Sequence, residues 1–200
     1  MDAVRVSALR ERLAGTGWLE AVGGFAGSLR RSVERRGAGQ LLLVGTEAYE
    51  PWHLAAHLED EAAWSAVPRL APTLLRHRPP AAAPAHLAHD LRRLTEAGRG
   101  ATVLVVAPGA AGVPLLERVQ DARRHGATVL ALDGTASATG DLAGLAHERL
   151  GVGTAAEEPF DLAQHLVSAA AGQPPGRRSA LDRLAGLAGR LTAGPAINRW

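Results

Sequence analysis

The chain has no cysteine and no lysine, and only seven of its 200 residues are aromatic: four Trp, one Tyr and two Phe. Without cysteine there are no disulfides, no thiolate nucleophiles and no thiolate metal ligands, and the composition fits a reducing compartment. Scarce aromatics leave Leu, Val and Ala to fill the core. No apolar run reaches the length of a membrane span, and the first residues lack the apolar centre of a secretory signal. The expectation is therefore a cytoplasmic chain with no membrane partner. Because lysine is absent, all 22 basic residues are Arg, set against 20 acids for a formal net charge of +2. The densest basic cluster, Arg30, Arg31, Arg35 and Arg36, closes a predicted helix, where cations favour the dipole. No basic stripe with interleaved aromatics is present, so nucleic acid is not an expected partner.

What is present is organised around residues 101–134, which read ATVLVVAPG, AAGVPLLERVQDARRHGA and TVLALDG. An apolar run of strand length (103–107) meets a Gly-Pro turn, a helical segment (113–125) follows, and a second apolar run covers 128–132. The two runs are too far apart for a hairpin, so they should lie parallel in a buried sheet. The rest of the chain repeats this alternation. Residues 3–36 read as helix, interrupted near Gly15, Thr16 and Gly17, with Trp18, Leu19, Val22, Phe25, Ala26, Leu29 and Val33 forming an apolar stripe. Strands are expected at 40–44, 66–70 and 149–152. Further helices are expected at 51–64, 85–97, 141–146 and 160–171, and an irregular segment at 76–84. The fold class is thus α/β: a three-layer sandwich around a doubly wound parallel sheet of five strands, preceded by a helical arm. The organisation expected is one α/β domain over residues 1–172, with its arm at 1–38. A linker and a short amphipathic helix, 180–191 capped by Ser179, occupy 173–200.

The order of elements resembles the SIS (sugar isomerase) domain superfamily, and within it the phosphoheptose isomerases. The resemblance runs through LLLVGTEAYEPWHLAAHLEDEA, then HLAHDLRRLTEAGRGATVLVVAPGAAGVPLLERVQDARRHGATVLALDG and finally LAGLAHERLGVG. It covers roughly residues 15–171 and implies a homodimer or homotetramer with N-terminal helices between subunits. It also implies a sugar-phosphate ligand held by a hydroxyl-rich loop after the strand 103–107. Here that loop is Pro108, Gly109, Ala110, Ala111, Gly112 and Val113, with Ala110 and Val113 where hydroxyls are expected. The backbone N–H groups at the helix start remain available to an anion. Hydroxyls persist in two other loops, as Thr46 and as Thr135, Ser137 and Thr139. In a doubly wound sheet such loops converge on one crevice, although Thr and Ser also cap turns with no ligand.

Among titratable groups, His53 and His57 stand four residues apart on a predicted helix and Glu61 four further, placing all three along one face. Some phosphoheptose isomerases bind zinc between this helix and the last one, so the resemblance implies a zinc site from His53 or His57 together with Glu61 and His165. The same spacing arises on helices that bind nothing. Glu47, in the exit loop of the first strand, stands where an isomerase would place its proton-transferring base, with His57 and His165 as further catalytic candidates. A carboxylate there also serves as a first-turn helix acid. His86, His89 and Asp90 read as solvated residues, and His125 and His147 as groups capping carbonyls. Three functions follow: a divergent SIS-domain protein binding a small phosphorylated or anionic ligand, a sugar-phosphate isomerase with or without zinc, and a non-catalytic scaffold whose tail docks a partner.

Overall fold

The computed structural model describes residues 17–82, 84, 88–134, 140–152 and 160–173. Its elements run α1 (Trp18–Glu34), β1 (Leu41–Gly45), α2 (Trp52–Trp64), a 3-10 turn (Pro68–Leu70), β2 (Pro72–Leu75), α3 (Arg92–Thr95), β3 (Thr102–Ala107), α4 (Val113–Arg124), β4 (Thr128–Asp133), α5 (Asp141–Leu145), β5 (Glu148–Gly151) and α6 (Phe160–Gly172). The five strands form one sheet in the order β2-β1-β3-β4-β5, with every pairing parallel. Among the described residues no helix is long and apolar enough to cross a membrane.

Successive strand residues point to opposite faces, and both faces are covered. Leu41, Leu43, Leu104, Val106, Leu130 and Leu132 pack under α1, α2 and α6. Leu42, Val44, Val103, Val105, Val129 and Ala131 pack under α3, α4 and α5. That explains the near-continuous apolar runs of β1 and β3, buried along their whole length. The connection from β1 to β2 carries α2 over one face, while that from β3 to β4 carries α4 over the other. The exit loops of β1 and β3 therefore diverge from adjacent strands, the switch point at which such sheets open a crevice.

Three local expectations are corrected. The strand expected at 66–70 is not formed. Ala66 takes a left-handed backbone (φ 55°) at the end of α2, which stops the helix and bars a strand. Pro68 opens a 3-10 turn, and the strand is displaced to Pro72–Leu75. Pro72, which lacks an N–H, is tolerated as the first residue of an edge strand. The helix expected at 85–97 is reduced, among the described residues, to Arg92–Thr95. His89 and Asp90 instead lie beside Arg76 just past β2 in an isolated parallel bridge, the Arg76 N–H bonding the His89 carbonyl at 2.9 Å, and the Asp90 carboxylate caps the Arg92 N–H at 2.8 Å. His147 accepts the Val129 N–H on Nδ1 at 2.9 Å rather than capping a carbonyl.

The apolar stripe of α1 is buried within its own chain, against α6 and the sheet. Arg30 explains much of that docking. Its guanidinium donates to the Ala171 and Gly172 carbonyls at 3.1 and 3.0 Å and pairs with Glu34 at 2.8 Å. A cation thus closes the carbonyl end of α6, where the dipole is negative. The resemblance placed this helix face between subunits; for Trp18–Glu34 that face already has its partner. The remainder of the arm and the segment 174–200 lie outside the described residues.

Candidate functional site

The exit from β1 is a tight turn. The Tyr49 N–H returns to the Thr46 carbonyl at 3.1 Å, and a Cβ built on Gly45 would collide with the Tyr49 carbonyl and the Pro51 ring. Only glycine lets the strand end there. Thr46 is consequently buried at the lip of the turn. Tyr49 fastens the loop to the start of α6: its ring stands edge-on to Phe160 at 6.0 Å, and its hydroxyl accepts from Gln164 Nε2 at 2.8 Å and donates to Asp161 at 3.4 Å. Burial, reinforced by the Asp161 charge, raises the Tyr49 pKa against the opposing Gln164 bond, so the phenol stays protonated near neutrality.

Three consecutive residues leaving β2 complete this corner. His77 donates Nε2–H to the Gly45 carbonyl at 3.0 Å, tying the two strand ends together. Arg76 pairs with Glu50 at 2.9 Å, and Arg78 pairs with Glu47. These side chains, with Thr46, Tyr49 and Leu75, surround a cavity of about 340 Å³. The Glu47–Arg78 pair is largely exposed on both sides. Pairs of that kind stabilise by about 0–1 kcal/mol, so a stronger anion can replace Glu47 on the guanidinium at small cost.

A second crevice, about 190 Å³, lies at the ends of β3 and β4. Gly109, Ala110 and Ala111 line it, together with Ala107, Asp133 and Asp141. Gly112 is the cap residue of α4, and its carbonyl accepts the Leu115 and Leu116 N–H groups at 3.0 and 3.1 Å. Pro114 contributes no N–H, so this helix start offers an anion only the amides of Gly112 and Val113. Asp133 is nearly buried and bound two-pronged by Arg149 at 2.6 and 2.7 Å. That bond raises the Arg149 pKa, so the guanidinium stays charged. The described lining of this crevice has carboxylates and apolar groups but no hydroxyl and no cation. Thr135, Ser137 and Thr139 lie outside the described residues.

The histidines form a separate group between α2 and α6. The His57 and His165 rings are 4.0 Å apart between centroids, while His53 is 6.4 Å from His57 and stacks on Trp52 at 3.7 Å. Burial first, and then the mutual proximity of the imidazoles, lowers the pKa of His57 and His165, with Asp60 and Asp161 opposing. Glu61 sits at the end of α6, where a Cβ on Gly172 would strike its carboxylate. No group of three or more His, Asp or Glu among the described residues is placed to hold a metal ion. The implied zinc set of His53, His57, Glu61 and His165 is therefore not assembled: one helix stripe supplies three of its members but spreads them over two turns. The pair lines neither cavity.

Thr46 and Glu47 are thus brought into the first cavity, Gly109, Ala110 and Ala111 into the second, and His57 and His165 onto each other. Sequence reasoning missed Arg76, His77 and Arg78, and also the Asp133–Arg149 pair. The signal for the first three was Arg-His-Arg directly after a strand; with that strand expected at 66–70, the triplet fell into an irregular segment.

No protein-family model and no curated protein matches the chain. Solved structures do. A candidate sugar-binding protein from Salmonella typhimurium LT2 superposes with TM-score 0.53 and 19% identity, covering 94% of this chain and 51% of its own. A candidate phosphosugar isomerase from Silicibacter pomeroyi DSS-3 superposes with TM-score 0.51 and 15% identity, covering 90% of this chain and 50% of its own. The chain spans about half the length of either protein. At these identities the likeness establishes architecture alone: the chain shares the α/β sandwich fold of these two proteins.

Proposed function

We propose that this chain binds a small phosphorylated or otherwise anionic sugar at the ends of β1 and β2, through Arg76, Arg78 and the Thr46 hydroxyl. The observation that carries this reading is the placement of two guanidiniums and a hydroxyl around one cavity at the carboxyl edge of a parallel sheet, beside its switch point. Guanidinium groups recognise phosphate by paired, charge-assisted bonds worth about 1.5–3 kcal/mol each. The loop after β3 offers backbone amides beside acidic side chains, with no cation in the described lining, and is the poorer cradle for an anion. The sugar-binding and isomerase descriptions of the superposed proteins agree with this ligand class.

The test is thermal unfolding against inorganic phosphate and pentose and heptose phosphates. A ligand at a hundred times its dissociation constant stabilises by about 2.7 kcal/mol. A shift that disappears in Arg76→Ala/Arg78→Ala supports the reading; an unchanged shift in that variant overturns it.

A second reading, isomerisation of the bound sugar, is favoured by one observation: Glu47 lines the same cavity and pairs with the arginine that a phosphate would claim. Displaced from Arg78, its carboxylate would stand beside the sugar carbons as a proton-transferring base. Glu47→Gln should then keep the thermal shift and abolish aldose–ketose interconversion.

A further inference from the structure

The outer face of α2 carries two of the three large hydrophobic side chains exposed among the described residues: Trp52 is 57% exposed and Trp64 is 71%. At 100° per residue, Trp52, Ala56 and Ala63 fall within about 40° of one another on that face. All three are exposed. Exposed Glu59 lies at one edge of this strip and exposed Asp60 at the other, between it and Trp64, which stands on the side nearer α6. An apolar strip about 18 Å long, edged by acids, is therefore unpartnered on a helix whose opposite face is buried in the core.

The geometry also says which part of the chain arrives there. His57 meets His165, and Glu61 meets Gly172. So α6 runs alongside α2 in the same direction and ends level with Glu61, about one turn before Trp64. The chain leaving α6 at Gln173 emerges on the α6 side of α2, one turn from Trp64. In the sequence that follows, Leu181, Leu184, Ala188 and Leu191 recur at helical spacing, and residues 177–190 hold four arginines against one acid, Asp182. Twelve helical residues, 180–191, span about 18 Å, the length of the strip. Gly186 and Gly189 weaken that helix in isolation, so it needs a surface to form on. A second copy of α2 would bring acids against acids, and its own strip would remain charge-mismatched.

We propose that residues 180–191 of this chain dock lengthwise on the outer face of α2, the leucine stripe covering Trp52, Ala56, Ala63 and Trp64 and the arginines meeting Glu59 and Asp60.

The absence of cysteine makes the test direct in the full-length chain. A helix that starts at the Trp64 end, where the chain arrives, and runs back along α2 brings Ala188 level with Ala56, so with Ala56→Cys and Ala188→Cys introduced together mild oxidation at micromolar concentration should give a disulfide within one chain. Failure to close, or closure only between chains, overturns the proposal. Hydrogen exchange supplies a second readout. The amides of 180–191 should be protected in the unmodified protein and lose at least tenfold of that protection in Trp64→Ser/Asp60→Arg, while the β3 amides keep theirs. Both changes sit on exposed positions and should leave the domain folded. Unprotected amides in the unmodified protein, or protection unaffected by the double change, would equally defeat it.

Discussion

Two crevices open along one edge of one sheet, and they are chemically opposite. At the ends of β1 and β2 the described lining includes two arginines, a histidine and a buried threonine hydroxyl. At the ends of β3 and β4 it is glycine, alanine, leucine and two aspartates. The backbone plan is the same in both, a parallel strand turning into a loop. What differs is which side chains the loop carries and what already neutralises them. In the first corner the arginines are balanced by partly exposed glutamates, a loose arrangement that a ligand can replace. In the second, Asp133 is held two-pronged by Arg149 with most of the pair out of water, an arrangement that orders β4 against β5 and is costly to disturb. A doubly wound topology marks an edge; side-chain charge decides which part of it receives an anion.

The comparison breaks first at the glycines. Gly45→Val should lower stability by about 3 kcal/mol, because its Cβ meets backbone that cannot retreat. Gly109→Ala, with nothing within 4 Å, should stay within about 0.5 kcal/mol of the parent. Equal losses in chemical denaturation would mean that the two loops are not differently built. Next, Asp133→Asn should cost about 2 kcal/mol, less than a fully buried pair because a fifth of the Arg149 side chain remains in water; denaturant midpoints would report it. The ligand then sharpens the contrast: Arg76→Ala should weaken phosphate-ester binding about tenfold, near 1.5 kcal/mol, while Ala110→Leu in the other crevice should leave it within about twofold. Calorimetric titration of both variants measures this.

The smallest effect belongs to the histidine pair, away from both crevices. His57 and His165 have pKa values lowered in the folded state, so the unfolded chain binds protons more readily. Their neutral forms support the fold fully above the ordinary imidazole pKa of about 6.5. That support is lost as pH falls from there through the lower folded-state values. Melting temperature should decline over that window, and less steeply in His57→Gln. An identical slope in the variant would remove the pair as the cause.

Legibility in the sequence followed the length of the signal. The strands β1, β3 and β4 and the helices α2, α4 and α6 were readable because each is a run of six or more residues, or a sheet-spanning apolar stretch, whose pattern only one structure buries. Strand β2 was displaced because Val67, Pro68, Arg69 and Leu70 carry the same apolar-polar mixture as Pro72, Thr73, Leu74 and Leu75. The deciding feature, the left-handed Ala66, has no composition mark. That shift hid Arg76, His77 and Arg78. The zinc set failed for a related reason: a four-residue spacing puts side chains on one face of α2, but whether Glu61 or His53 joins His57 at His165 depends on how α6 lies across that face.

Apolar periodicity and glycine placement are local and each residue contributes independently, so the layered α/β architecture, the parallel sheet and the edge where loops meet are written in the order of the amino acids. Which charges meet at that edge is a matter of three-dimensional packing. Glu47 with Arg78, His77 with the Gly45 carbonyl and Asp133 with Arg149 join residues 16 to 32 positions apart. Their encounter depends on strand order and register, which the packing of the whole core selects.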